Sequence, residues 1–367
     1  MYFGGYPLYL IIERPMIALT QWINQVCCLN RSRLVHGQAS LRMIIVFGTL
    51  ALLSGCTNDI DLEAPGEEVP VVYGLLSARD TAHYLRIERA FRTQGGDAET
   101  LAQQAGTLYF TDITVLLENQ QTGQQFPLQR VDGAEEGYPR QDGPFAQAPN
   151  YLYKITDEVI NFSGGELVRL LIERNNDVFA TAQTTILSPL EPSLNSPFSP
   201  INMAYERQVR FAWGHGLNVG IFQVQLIVQI REEISAGQWE DRRLTWMLDE
   251  ALLPDDDVTR SSITVLGEQF YRFLANTLAG EPPVRRQFMG MALEVIAGGS
   301  ELAEARQIDQ ANAGLTAAQF IPEYSNISGG VGVFSSRAQL QRTALRLNGP
   351  SLDSLREGQL TQDLNFQ

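Results

Sequence analysis

A chain of 367 residues has room for about two domains. Its 44% hydrophobic residues and mean hydropathy of −0.11 supply ordinary packed cores, which excludes wholesale disorder and a many-span membrane protein. A formal net charge of −15 excludes the basic surface that nucleic acid needs, and three cysteines with three histidines are too few for a zinc cluster or a disulfide framework.

The strongest signal is the apolar run at 43–53, Met-Ile-Ile-Val-Phe-Gly-Thr-Leu-Ala-Leu-Leu. It is too short to cross a ~30 Å hydrocarbon core, which takes ~20 residues. It has the length of a signal-peptide h-region, with Arg31, Arg33 and Arg42 ahead of it. Leu53-Ser54-Gly55-Cys56 follows and resembles the lipobox of bacterial lipoproteins. Small Ser54 and Gly55 suit a peptidase groove, and the Cys56 thiol can take a thioether-linked diacylglycerol. Residues 1–55 are therefore expected to be a signal peptide with an upstream extension, Met16, Val35 and Met43 offering later starts. Cys56 is the expected lipidation site. The leader holds four arginines against Glu13, so a chain beginning at Cys56 carries 23 bases and 41 acids, net −18.

Residues 56–70 read as the lipidated cysteine and an acidic tether. Asp59, Asp61, Glu63, Glu67 and Glu68 lie in it with no base, so it cannot bury apolar surface. The span 57–70 reaches at most ~48 Å when extended.

From residue 71 the pattern turns to short β-type runs at 71–76, 84–91, 113–118, 124–131, 151–156, 167–174 and 178–187. They predict a first β-sandwich over 71–188, with an inserted helical loop at 95–106. Residues 189–200, rich in proline and serine, read as a linker. A second β-rich domain is expected over 201–350. There Val209, Phe211 and Trp213 share one parity, and Phe222, Val224, Leu226, Val228 and Ile230 alternate with Gln223, Gln225 and Gln229. Ser235-Ala236-Gly237 turns that strand into a partner ending at 244–248. Strands at 263–266, 291–296 and 331–334, a helix over 267–279 and a short helix at 351–360 follow, with 351–367 as a C-terminal tail. The fold class is mainly β, two tandem sandwiches of immunoglobulin-like or fibronectin-like kind, the second with a short helical insertion.

Chemistry is sparse. His83 and His215 stand far apart without a motif and read as surface or turn histidines. No Gly-x-Ser-x-Gly elbow or His-Glu-x-x-His occurs. Asp249-Glu250 and Asp255-Asp256-Asp257 read as solvated loop, with an opportunistic calcium site as the alternative. Gly329-Gly330-Val331-Gly332 precedes a strand rather than a helix, which fits a bend better than a phosphate loop. The glutamine row reads as the wet face of a sheet. Trp213 reads as core, and Trp239 is the candidate ligand-binding residue. No cofactor, metal or catalytic residue is expected.

The chain resembles an uncharacterised family of bacterial outer-membrane lipoproteins often encoded near TonB-dependent receptors. The resemblance rests on Cys56 and Asp59-Ile60-Asp61, the strand at 71–76, the Ser163-Gly164-Gly165-Glu166 turn into 167–172, and the proline-rich crossing after Leu187. The closing stretch Ser325-Asn326-Ile327-Ser328-Gly329-Gly330-Val331-Gly332-Val333-Phe334 is similar to that family's Asn-Ile-x-x-Gly-x-x-Gly-x-Phe element. The resemblance implies an immunoglobulin-like first domain, a β-rich second domain and no established enzyme activity. The expectation is a lipid-anchored binding or accessory module of the outer membrane, with a β-barrel transporter or an extracellular polymer as partner. The alternatives are a carboxylate-based glycan or peptide hydrolase and a structural adhesin or envelope scaffold.

Overall fold

The computed structural model describes residues 68–90, 98–193, 196–254, 259–281, 284–313 and 324–367. The leader, Cys56 and tether residues 56–67 lie outside them, as do Asp255, Asp256 and Asp257.

Alternation along each strand puts one face into a core. In β1 (Val69–Leu76) the inward set is Val72, Gly74 and Leu76; in β2 (Ala82–Ala90) it is His83, Leu85 and Ile87. The inserted segment forms two short helices, α1 (Ala98–Ala102) and α2 (Ala105–Leu108), and Leu108 of α2 packs with Tyr109 and Ala146 in a small cluster. Then come β3 (Ile113–Asn119), β4 (Gln124–Pro127), β5 (Gln129–Asp132), β6 (Tyr151–Thr156), β7 (Leu167–Arg174) and β8 (Asp177–Thr185). The single strand expected over 124–131 is broken at Leu128. That side chain enters the core, and the chain passes from β3's sheet to β6's sheet.

The second half comprises β9 (Glu191–Pro192), β10 (Gln208–Gly214), the long hairpin β11 (Val219–Ser235) and β12 (Gln238–Leu252), β13 (Arg260–Leu266), α3 (Gly267–Thr277), β14 (Arg286–Gly299), α4 (Ser300–Ala313), β15 (Val331–Leu345) and α5 (Gly349–Glu357). The helix α3 buries Phe270, Tyr271 and Leu274 on the face its spacing predicts. Asn348 caps α5 by accepting a hydrogen bond from the Ser351 backbone N–H.

The protein is mainly β. One sheet has eight strands in the order β12-β11-β14-β15-β1-β2-β6-β5; the others are β4-β3-β7-β8 and β13-β10-β9. Two main cores lie between them. The first is filled from β1, β2 and β6 on one side and from β3, β7 and β8 on the other. The second is filled from β11, β14 and β15 against β10, β13, α3 and Leu355 of α5.

One strand serves both cores. Residues 331–336 of β15 pair in parallel with β1, and residues 337–345 pair antiparallel with β14. Ile327 and Phe334 accordingly sit in the first core, although chain order puts them with the second domain. Gly74 makes the room, since a Cβ there would stand 2.9 Å from Leu85 and 3.1 Å from Phe334. Gly332 has φ +118, and a Cβ on it would come 2.0 Å from the Val72 carbonyl oxygen, so only glycine lets β15 approach β1. The bend expected at 329–332 is thus a close-approach device.

The proline-rich crossing does not hang free. Leu187 and Leu190 are fully buried in the second core, and Glu191–Pro192 pairs with β10. The last residues are docked as well: Thr361 and Phe366 are buried, and Phe366 bridges to Arg286. Helix α4 has no counterpart in the sequence reading. It lies against β11, β14 and β15, where Gly220 and Gly298 admit Ala303 and Leu302.

Candidate functional site

The β11–β12 hairpin carries the candidate residue. Ser235-Ala236-Gly237 forms its turn, with Gly237 at φ +78, a conformation glycine takes without strain. Trp239 follows, half-buried and opposite Glu233. The guanidinium of Arg285, just before β14, stands 5.4 Å above the Trp239 ring, and its Nε lies 2.9 Å from Glu233 Oε2. Glu233 Oε1 also accepts the Gly237 backbone N–H at 2.7 Å, so one carboxylate holds both the turn and the arginine. A cation over an indole face contributes ~0.5–1 kcal/mol at an exposed site.

A charged layer supports this end from beneath. Arg286, 2% exposed, reaches Glu232 Oε1 at 2.7 Å and donates to the Leu364 carbonyl at 3.0 Å. Arg242 donates to both oxygens of Glu281 at 2.7 and 2.8 Å and to Glu232 at 3.3 Å. The Arg242 hydrogen bonds hold the Glu281 carboxyl below the usual carboxylate range. This layer ties β11, β12 and β14 to the docked C-terminal segment.

Register places this end far from the start of β1. Val71 lies beside Val331, Leu345 beside Met291 and Arg286 beside Glu232. The path along these strands is roughly 60 Å at ~3.3 Å per residue.

Both histidines are buried, and His83, in the interior of β2, departs from the expectation of a surface or turn residue. His83 is 2% exposed because it shares the inward parity of Leu85 and Ile87; its ring meets Phe162 edge-on at 4.9 Å. Burial pushes its pKa down, so it is held neutral. His215 follows β10 as a turn residue but is also buried. Its Nδ1 donates to the Gly216 carbonyl oxygen, which can only accept, at 2.8 Å, and its Nε2 lies 3.0 Å from Ser261 Oγ. Ser261 itself is 3% exposed, so the pair ties β10 to β13 rather than facing solvent. Beside it, an open pocket of about 640 Å3 is lined by Pro189, Glu191, Gly214, His215 and Arg260 among others.

The glutamine row is not uniformly wet. Gln225 is buried and donates to Glu294, which also accepts from Gln339 at 2.6 Å. Hydrogen bonds among these three side chains satisfy the polar groups on this part of the sheet. Trp213 is fully buried, as its parity predicts. Trp246 packs on the second core and stacks on Phe273 at 5.5 Å.

The Asn-Ile-x-x-Gly-x-x-Gly-x-Phe stretch also gains a physical account. Asn326 donates to the Phe334 carbonyl at 2.6 Å and accepts the Phe334 N–H at 2.9 Å. Ser328 exchanges two backbone bonds with Thr181 of β8, at 2.8 and 2.9 Å. One stretch thereby pins both sheets of the first sandwich.

Among the described residues no helix is long and apolar enough to cross a membrane, and no cluster of three or more His, Cys, Asp or Glu side chains is placed to hold a metal ion. Cys56 is outside them. Arg285 and Glu233 were not singled out by the sequence reading, since neither neighbours Trp239 in sequence.

No protein-family model and no curated protein matches the sequence. Among solved structures, the chain is similar to the C-terminal globular domain of an oligosaccharyltransferase from Pyrococcus abyssi. That likeness has a TM-score of 0.25 and 10% identity over 76% of this chain and 48% of that one. The FN1–FN3 domains of chicken CNTN1 give 0.17 and 11% over 75% and 65%. A tetra-tandem repeat from the extending region of a large adhesion protein gives 0.17 and 9% over 74% and 49%. The chain spans less than two thirds of each of these structures, and at such scores no shared fold follows.

Proposed function

We propose that the protein is a non-enzymatic binding or accessory module, held at the outer membrane by acylated Cys56 and offering its β11–β12 end to a protein partner. The observation that carries this reading is the Trp239–Arg285–Glu233 group at the turn. Tryptophan and arginine dominate the energy of protein contacts, and here both are held before a partner arrives, which lowers the ordering cost of binding. Arg285 covers one face of the Trp239 ring, which suits a protein contact better than flat stacking of a sugar. The resemblance to lipoproteins encoded near TonB-dependent receptors makes a β-barrel transporter the partner of this reading.

A mild-detergent pull-down with the lipidated protein tests it. Recovery of an outer-membrane β-barrel is expected, and Trp239→Ala should reduce it by about tenfold, the size of a modest interface hot spot. Cys56→Ala should release the protein to the soluble fraction after a carbonate wash. Retention of an extracellular polymer in place of a protein would move the reading to glycan binding. Turnover of a glycosidase or peptidase substrate that vanishes on changing one carboxylate would replace it with the hydrolase.

A further inference from the structure

The two edges of the eight-stranded sheet differ sharply. At one end stands β5, only four residues long; at the other stands β12, fifteen residues long, paired on one side with β11. Among the described residues no strand pairs with the other side of β12. Short edges resist further pairing, whereas long ones offer a row of main-chain donors and acceptors.

The charges along this edge have an order. Residues 242–250 read Arg-Arg-Leu-Thr-Trp-Met-Leu-Asp-Glu: two bases, five uncharged residues, two acids. Turned end for end, the stretch places its bases against its own acids, with Trp246 at the centre. A parallel copy would set arginine against arginine. The local irregularity matters too. Gln225 faces Met247 and Val224 faces Asp249, so Leu248 is an extra residue on β12. Beyond it Glu250 returns to the face of Arg243, Thr245 and Met247.

The relevant side chains are available. Arg243 is exposed and makes no ion pair among the described residues. Glu250 reaches Arg306 at 3.3 Å, with both side chains well exposed, a contact that is weak and readily exchanged. Arg242 is already committed to Glu281 and Glu232, and Asp249 accepts the Ala251 N–H. The free complementarity therefore lies between Arg243 and Glu250.

We infer that β12 pairs antiparallel with β12 of a second copy of this chain, Arg243 of each facing Glu250 of the other across a two-fold axis near Trp246. The contact is isologous, uses up the one long edge and so stops at two chains. It sends the two hairpin turns to opposite ends of the joined sheet and leaves Trp239 outside the paired stretch. Dimerisation and partner binding are thus separately measurable.

Sedimentation velocity of the full chain carrying Cys56→Ala, at about 1–100 µM, tests the inference, with circular dichroism confirming that each variant folds. The expected result is a dimer whose dissociation constant rises about tenfold or more in Arg243→Glu and likewise in Glu250→Arg. The double variant Arg243→Glu/Glu250→Arg restores complementarity and should restore the dimer. A monomeric parent chain, single variants that keep the parent affinity, or a folded double variant that stays monomeric would each overturn it. So would a monomer whose pull-down partner is lost on Arg243→Glu, because the edge would then belong to a different protein.

Discussion

The first sandwich closes its core with β-sheet on both sides, whereas the second closes its core with a three-stranded sheet on one part and helices on the rest. The first is also incomplete within its own stretch of chain: Ile327 and Phe334 come to it from the start of β15 and the residues before it, after β10–β14 have been laid down. The second takes Leu187 and Leu190 from the crossing but contains its own strands, helices and C-terminal segment. Chain order and core membership are therefore different partitions, and each half lacks part of its packing when cut at the crossing.

The largest expected effect comes from breaking that dependence. Phe334 is fully buried, so Phe334→Ala should cost about 3–5 kcal/mol. In a chain from residue 56 onward, which leaves out Trp22, the tryptophans are Trp213, Trp239 and Trp246, all in the second half, so tryptophan fluorescence reads that half while circular dichroism reads the whole. Both probes should lose stability together in denaturant. An unchanged fluorescence midpoint would show that the halves unfold independently. A smaller effect is expected from Asn326→Ala, which removes the two bonds to the Phe334 backbone and should cost about 2 kcal/mol. Asn326→Asp keeps the acceptor but sets a carboxylate oxygen against the Phe334 carbonyl, so it should not restore the parent midpoint. Equal midpoints for Asn326→Ala and the parent chain would mean the stretch is held by Ser328 and Gly332 alone.

The smallest effect is a pH dependence in the first half. His83 is neutral in the folded chain, its pKa pushed down by burial, while the unfolded chain takes up a proton below about 6.5. The unfolded state then binds more protons in that window, so stability is full above pH ~6.5 and declines as pH falls. The loss should precede that of Glu281 and Asp241, whose lowered values place their contribution at more acid pH. His83→Leu should flatten the denaturation midpoint between pH 7.5 and 5.5; an unchanged slope would assign the dependence elsewhere.

Much of the strand pattern was legible because side-chain alternation is local. Val209, Phe211 and Trp213, the β11–β12 turn and the apolar face of α3 all follow from spacing. The extent of β15 was not, since polar residues follow Phe334 in sequence. Ser335 and Ser336 are nevertheless buried, satisfied by Glu301 and by the Thr185 carbonyl. His83 lies inside, against the usual exposure of its residue type, because it shares the parity of Leu85 and Ile87. Helix α4 has a local signal of its own in the run of glutamate, alanine and arginine after Ser300, strong helix formers, but no regular apolar face marks it. At the candidate site Trp239 was visible as a type, but Arg285 reaches it only through the pairing of β14 with β11.

The parallel pairing of β1 with β15 has a mechanical consequence. The chain enters β1 at Val69, and the opposite end of the sheet carries the hairpin. A pull between these ends runs along the strands, so the bonds joining 71–76 to 331–336 are loaded in shear. In shear they must fail together rather than open one by one as a hairpin does when its ends are drawn apart. Tension applied at Val69 would thus be carried straight through the first sandwich into the second.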